Sequence, residues 1–571
     1  AAAAAMALGL ALAAVLLVPM AELTLQSYRA RLSFDDFAGY SLPLRQLPML
    51  LFPYLFGGAG QPWGPSVPYF GRGGGLAEAT GYVGLLPLLL AGLGFVGARR
   101  RGLAAFWLAA AVLSLLLALG KESPLVRLAF HLPVYNKFRI PARHFCHLAL
   151  AVAVLAGLGL DAFARLDLAD RLRSLRRGSL AIAGVCLALL LLFVALGRAG
   201  AYDKTLDPTA TPFLNVLPWK NAAVGVPLLL LGAGLAALGL WARRPGPLSG
   251  AVVVAVLCLD VGHCGWYFDS GRTGGVSADV ADLPDGLRAY RDELGRRGQR
   301  LVPLLGHGPA EMAPPNRSRL WGVPSALGYC PLVLQRYCEL TGCHYVGFDS
   351  YQALAPANRA FDVLAVRYAL APRALLGGDA LPAWAVHDLT EGGRWQRCLD
   401  LGEVAVFRNR RAMPRAWLTP EVACLKAEQV CHTIQEGYLP DGRPYDPSRT
   451  ALVEEQVPFP AAPATGGREV RVTRLDDTRV EVEARCDAPA FLVLSDVFYP
   501  GWTAEVNGHA SALYRTDYVL RGVALPAGVS RVVFRFRPWS FWAGAALTGA
   551  AALLVMGLLA SSLARRPTRA R

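Results

Sequence analysis

YNKFRIPARHFCH, residues 135–147, lies between two apolar runs at 102–120 and 148–160. It carries Lys137, Arg139, Arg143, His144 and His147 around Pro141. Cations at the mouth of a membrane helix need a reason, and two readings compete. In one, the side chains snorkel to lipid headgroups and set the depth of the next helix. In the other, they form an anion site, most simply for a lipid phosphate, which guanidinium grips with a two-pronged fork.

The wider composition supports the membrane setting. The 571 residues are 54% hydrophobic and 17% charged, with a mean hydropathy of +0.36. A polytopic membrane protein with a sizeable water-facing part is expected. The net charge of +15 does not imply nucleic acid, because many of the basic residues sit in short loops beside apolar runs, as orientation signals do. Residues 1–20 are a full-length apolar span without the form of a cleavable signal peptide. The sequence is expected to be the later part of a longer protein.

About eight spans are predicted: 1–20, 82–96, 103–119, 148–163, 179–196, 222–241, 248–268 and 541–563. Arginines follow alternate spans, at 99–101, 165–177, 243–244 and 565–571. The four short stretches after those spans, 97–102, 164–178, 242–247 and 564–571, hold 14 basic residues in 35, against 12 in 112 for loops 21–80, 120–146 and 197–221. The positive-inside rule then places both ends in the cytoplasm. The three loops and residues 269–540 fall outside. The 135–147 cations work against this bias, so a local anion is expected to compensate them.

Loop 21–80 contains SLPLRQLPMLLFPYLF at 41–56, apolar but broken by Pro43, Pro48 and Pro53. Those prolines forbid a clean span, so an interfacial or re-entrant segment is predicted. A Gly-rich, aromatic stretch follows, with Trp63 and Tyr69. It reads either as a surface loop or as a lid whose rings stack on sugar.

The outer block has two textures. Residues 269–467 read as a mixed α/β region, with a helix at 285–297. Residues 468–538 read as a self-contained β-sandwich of short alternating strands, with Asn507-Gly508 as a hairpin turn. Residues 539–571 are the last helix and a basic tail. Of the 11 cysteines, seven lie in this block, and an odd number leaves at least one unpaired within it. Cys338 with Cys343, and Cys424 with Cys431, are near enough in sequence to bridge. No C-x-x-C occurs, so no metal site is expected.

Catalytic motifs are scarce. The sequence has no Walker loop, no G-x-G-x-x-G after a strand, no H-E-x-x-H and no G-x-S-x-G. ATP-driven transport and serine-hydrolase chemistry therefore lack support. Asp260 and His263 form an intramembrane pair one turn apart, read here as structural because both lie near the outer end of their span. Glycosyl transfer from a lipid carrier needs a carboxylate base near the membrane surface and cations for the departing phosphate. Glu78 or Asp36, with Lys137, Arg139 and Arg143, would supply both.

Four segments carry a family resemblance: 33–58 (SFDDFAGYSLPLRQLPMLLFPYLFGG), 78–94 (EATGYVGLLPLLLAGLG), 135–144 (YNKFRIPARH), and 494–528 with Tyr499-Pro500-Gly501-Trp502. The chain resembles the YfhO-like bacterial membrane proteins, relatives of the GT-C glycosyltransferases. The resemblance implies a helix bundle in the bacterial inner membrane and a large extracytoplasmic part ending in a β-sandwich and a last helix. It also implies sugar transfer from a polyprenyl-phosphate carrier, the only co-substrate expected, to an envelope polymer. GT-C enzymes usually keep their catalytic acid in an early outer loop, which the resemblance places upstream of residue 1. The rival expectation is a non-enzymatic envelope protein whose outer domain binds glycan or a protein partner. A flippase would need a polar path, and Asp260 with His263 make a poor one.

Overall fold

The computed structural model describes residues 2–57, 69, 71, 76–200, 220–269, 282–283, 285–304, 316–343, 347, 350–377, 381–401, 404–458 and 467–564. They fall into two compact units, one of residues 31–277 and one of residues 1–30 with 278–571.

The 31–277 unit is helical. Its long elements are α3 (Leu85–Gly97), α4 (Arg101–Ala118), α5 (Phe145–Arg165), α6 (Leu168–Arg198), α7 (Lys220–Arg243) and α8 (Pro247–Asp269). α3 lies close against α5: Gly94 and Gly159 each face the other helix's backbone, where a Cβ would collide. The apolar segment 41–56 is neither strand nor long helix. Its prolines leave short 3₁₀ turns, and Met49, Phe52 and Phe56 are buried. Phe56 meets Phe193 of α6 edge-on at 5.2 Å.

Three span predictions need correction. Among the described residues, six helices are long and apolar enough to cross a membrane, or seven with a bent pair counted as one. The predicted 1–20 span is that pair, α1 (Ala2–Leu12) and α2 (Ala14–Gln26), bent by 74°. Thr548 fills the break, accepting from Val15 N–H at 3.0 Å and donating to Leu12 O at 3.1 Å. The predicted 82–96 span is helical only from Leu85, giving 13 residues, roughly 20 Å against the ~30 Å of a bilayer core. The predicted 179–196 span begins earlier, at Leu168, where Asp167 caps the helix by accepting from Asp170 N–H at 2.7 Å. Arg171, Arg173, Arg176 and Arg177 thus lie on helix rather than loop.

In the other unit, α9 (Asp285–Arg297) packs Leu287 and Leu294 on a four-stranded sheet. That sheet has order β1 (Arg300–Pro303), β2 (Val366–Pro372), β4 (Val404–Asn409), β3 (Trp395–Leu401). A five-stranded sheet follows: β12 (His509–Ser511), β11 (Trp502–Val506), β15 (Gly528–Phe536), β9 (Arg479–Cys486), β8 (Arg468–Leu475). A six-stranded sheet has order β5 (Ala416–Thr419), β10 (Ala490–Leu494), β14 (Leu520–Leu525), β13 (Tyr514–Thr516), β7 (Thr450–Val453), β6 (Glu421–Cys424). The five- and six-stranded sheets share one core, with Leu418, Leu492 and Val523 from one and Val482, Ala504 and Phe534 from the other.

A unit that begins at 468 is therefore not what forms. β5, β6 and β7 come from the region assigned to the mixed domain, and they complete the six-stranded sheet: β5 pairs with β10, β7 with β13, and β6 with β7. Asn507 (φ 53°) and Gly508 (φ 84°) turn the chain between β11 and β12, as an Asn-Gly hairpin requires. α10 (Trp539–Ala564) then leaves the end of β15.

All described cysteines are free thiols. Cys338 and Cys343 touch, Sγ to Sγ, at 3.4 Å.

Candidate functional site

The 135–147 stretch is held in the 31–277 unit by the polar end of loop 21–80. Leu42 N–H donates to Ala118 O at 3.0 Å, and Lys121 N–H donates to Ser41 Oγ at 2.9 Å. Ser33 caps the short helix Phe34–Phe37, accepting from Asp36 N–H at 3.1 Å. That helix presents Phe34 and Phe37 to Phe130, at 5.6 and 5.2 Å. Phe37 also meets Tyr135 edge-on at 5.7 Å. Tyr135 Oη lies 2.8 Å from His144 Nε2.

The backbone around these rings is strained. Val134 and Ile140 have φ of 70° and 72°, a region β-branched residues rarely enter. Each such residue costs on the order of 1–3 kcal/mol and persists where its surroundings over-determine it. Residues 135–139 are pinned between these two points.

The cations find partners within reach. Arg143 Nη2 pairs with Glu78 Oε1 at 3.1 Å, and its Nε approaches Oε2 at 3.5 Å. Arg139 Nε donates to the backbone carbonyl of Asp36 at 3.2 Å. Lys121 pairs with Asp35 at 2.9 Å and holds that carboxyl below the usual range. The counter-charge of Arg143 thus lies 65 residues upstream, on Glu78. Arg143 stays 63% exposed, so its guanidinium can still meet an incoming anion.

The other expected residues are placed differently. Asp36 meets the cluster only through its carbonyl, because its carboxylate accepts from Ser33 Oγ at 2.6 Å. Lys137 is half-buried in the turn Tyr135–Lys137. Tyr69 is half-buried, with its ring packed on the core around Met49 and Phe52, and burial pushes its hydroxyl above the usual range. That hydroxyl bonds the buried Gln46 at 3.3 Å, so the ring is no open stacking platform. Trp63 lies outside the described residues. Among the described residues, no group of three or more His, Cys, Asp or Glu side chains is placed to hold a metal ion.

One polar cluster goes beyond the sequence reading. Asp260 is fully buried. It accepts from Tyr82 Oη and from Leu86 N–H, the latter at 3.3 Å, in the first turn of α3. Gly84 (φ 88°) leaves room there, since a Cβ would stand 2.8 Å from Asp260 Oδ2. His263 meets the Tyr82 ring edge-on at 5.4 Å. Asp260 was visible in the sequence as an intramembrane acid, but its partner lies 178 residues away. The cluster fixes the start of α3 at Leu85, seven residues beyond Glu78 in the chain, and so helps to place that carboxylate.

No family model matches the chain, and no curated protein matches it. Among solved structures it is similar to the arabinofuranosyltransferase AftD from Mycobacteria, with 12% identity over 86% of this chain and 48% of that one, and a TM-score of 0.23. The chain thus spans about half the length of that protein. A likeness so low carries no argument about fold or chemistry.

Proposed function

We propose that this chain belongs to a membrane glycosyltransferase that takes a sugar from a polyprenyl-phosphate carrier and passes it to an extracytoplasmic acceptor. The observation that carries the reading is the Glu78–Arg143 pair, a carboxylate and an exposed guanidinium in direct contact at 3.1 Å. Cleavage at the anomeric carbon leaves a lipid phosphate, and a positioned cation stabilises the developing charge. The acceptor hydroxyl gives up its proton to a carboxylate. In this reading Arg143, with Arg139 and Lys137, receives the phosphate, and Glu78 takes the proton. Asp36 has a lesser part, since its carboxylate is engaged by Ser33. Both termini face the cytoplasm of a bacterial inner membrane, the bent pair and α3 each counting as one crossing, and residues 269–540 lie outside.

Two variants separate the roles. Glu78→Gln keeps shape and should retain carrier binding while transfer falls about 100-fold, the lower end of general-base contributions. Arg143→Ala should lose carrier binding. If neither variant changes transfer, and the parent binds an envelope glycan or protein without turnover, the chain is instead a binding scaffold.

A further inference from the structure

Strand pairing brings unusual charge to one end of the six-stranded sheet. Leu494 of β10 pairs with Arg521 of β14 on one side and Ala416 of β5 on the other. Asp496, Arg521 and Arg415 therefore meet, and Arg300 of β1 reaches the same point. Asp496 pairs with Arg300 at 3.2 Å, with Arg521 at 3.3 Å and with Arg415. The arginine side chains are 15%, 4% and 13% exposed, in that order, and Asp496 is 12% exposed.

Three guanidinium groups thus share one carboxylate, an excess of two positive charges in a nearly dry place. Several of their N–H groups go to carbonyls, those of Leu364, Ser495 and Gly298, at 2.7–3.1 Å. Carbonyls satisfy donors without cancelling charge. Arg415 Nε and Arg521 Nη1 are buried without a hydrogen-bond partner. Burial pushes both guanidinium groups down to about 10, as befits cations short of counter-charge. A surplus of buried cations costs stability unless something anionic offsets it.

We propose that Arg300, Arg415 and Arg521 form a binding site for a phosphate-type oxyanion, supplied either free or as a lipid headgroup. A doubly charged phosphate would cancel the excess and accept from the orphaned donors. The headgroup source is within reach, because β15 ends at Phe536 and α10 starts at Trp539, at most ~11 Å of chain later. Register sets Trp502 opposite Phe536, and Arg521 stacks on Trp502, so this is the end of the sheets from which the last helix leaves. The site is independent of the reading given to residues 135–147.

The full chain in neutral detergent is titrated with inorganic phosphate and, separately, with phosphatidic acid in mixed micelles. The thermal midpoint is read against sodium chloride of equal ionic strength. At least one probe should raise the parent's midpoint beyond chloride. Response to phosphate means a free ligand, and response to phosphatidic acid alone means a headgroup. Arg415→Gln should weaken the effective probe about tenfold. Asp496→Asn, which removes the competing acid, should tighten it several-fold, and this variant decides the matter if Arg415→Gln does not fold. Whatever response remains in Arg139→Ala should be lost when Arg415→Gln is added, which separates this site from the other. The proposal is overturned if neither probe exceeds chloride, or if Asp496→Asn and Arg415→Gln leave the affinity unchanged.

Discussion

The guanidinium of Arg521 lies 3.7 Å from the centre of the Trp502 ring while its Nη2 pairs with Asp496 at 3.3 Å. All three residues come from the 494–528 motif, and their contact explains why these residue types occur together. A guanidinium is the cation that can stack on a ring and grip a carboxylate at once. Trp502→Ala should therefore lower unfolding stability by about 2–3 kcal/mol, less than the ~3–5 of a fully buried ring because Trp502 is half-buried. Trp502→Phe should recover more than half of that. Denaturant titration of the full chain reads both.

Gly501 and Gly508 offer a matched comparison. Both have positive φ, 98° and 84°. A Cβ on Gly501 would stand 2.6 Å from Pro538 Cα, whereas nothing lies within 4 Å of one on Gly508. Gly508→Ala should cost about 1 kcal/mol from backbone strain alone. Gly501→Ala adds a backbone clash where β15 hands over to α10, and should cost at least twice as much in the same titration. Equal losses would show that the 501–538 contact is not tight.

Much of this architecture could be read in the sequence, and the boundary of legibility is physical. Apolar runs announce helices, and period-2 alternation over 479–486 or 531–535 announces strands, because each depends on neighbours in the chain. The partnership of β5 with β10 does not, since Ala416 and Leu494 are far apart in sequence and meet only by pairing. The same holds for the Arg143–Glu78 and Tyr82–Asp260 pairs. The bend at Ala13 was invisible for another reason: its cause is Thr548, on a helix at the other end of the chain.

Asp517 gives the sheet-bearing unit a pH dependence. It is fully buried, and Oδ1 accepts from Leu452 N–H at 3.0 Å and Tyr445 Oη at 3.2 Å. Oδ2 has no hydrogen-bond partner. Burial pushes the carboxyl up from 3.8 to about 7. The folded chain thus keeps a proton that the unfolded chain has already lost. The contribution is fully present below about pH 4 and is lost as pH rises towards 7, up to ~4 kcal/mol in all. Asp517→Asn keeps the carbonyl acceptor without the charge. Between pH 5 and pH 8 the parent's denaturation midpoint should fall relative to that of the variant. A constant difference across this range would contradict it.

The Glu78–Arg143 pair should matter little for folding. Both groups touch solvent, and such pairs contribute about 0–1 kcal/mol. Glu78→Gln and Arg143→Ala should each shift the thermal midpoint in detergent by no more than a few degrees. A collapse of the fold in either variant would assign the pair a structural role instead.

The most direct measurement is the affinity of the full chain for a polyprenyl-phosphate-linked sugar in detergent micelles, for the parent, Arg139→Ala and Arg143→Ala. Losing a charge-assisted hydrogen bond to phosphate should weaken binding by ~1.5–3 kcal/mol, or about 10- to 150-fold. That loss should appear in Arg143→Ala while its thermal midpoint stays near the parent's. Undiminished affinity in both variants would contradict the account and leave these cations as headgroup anchors.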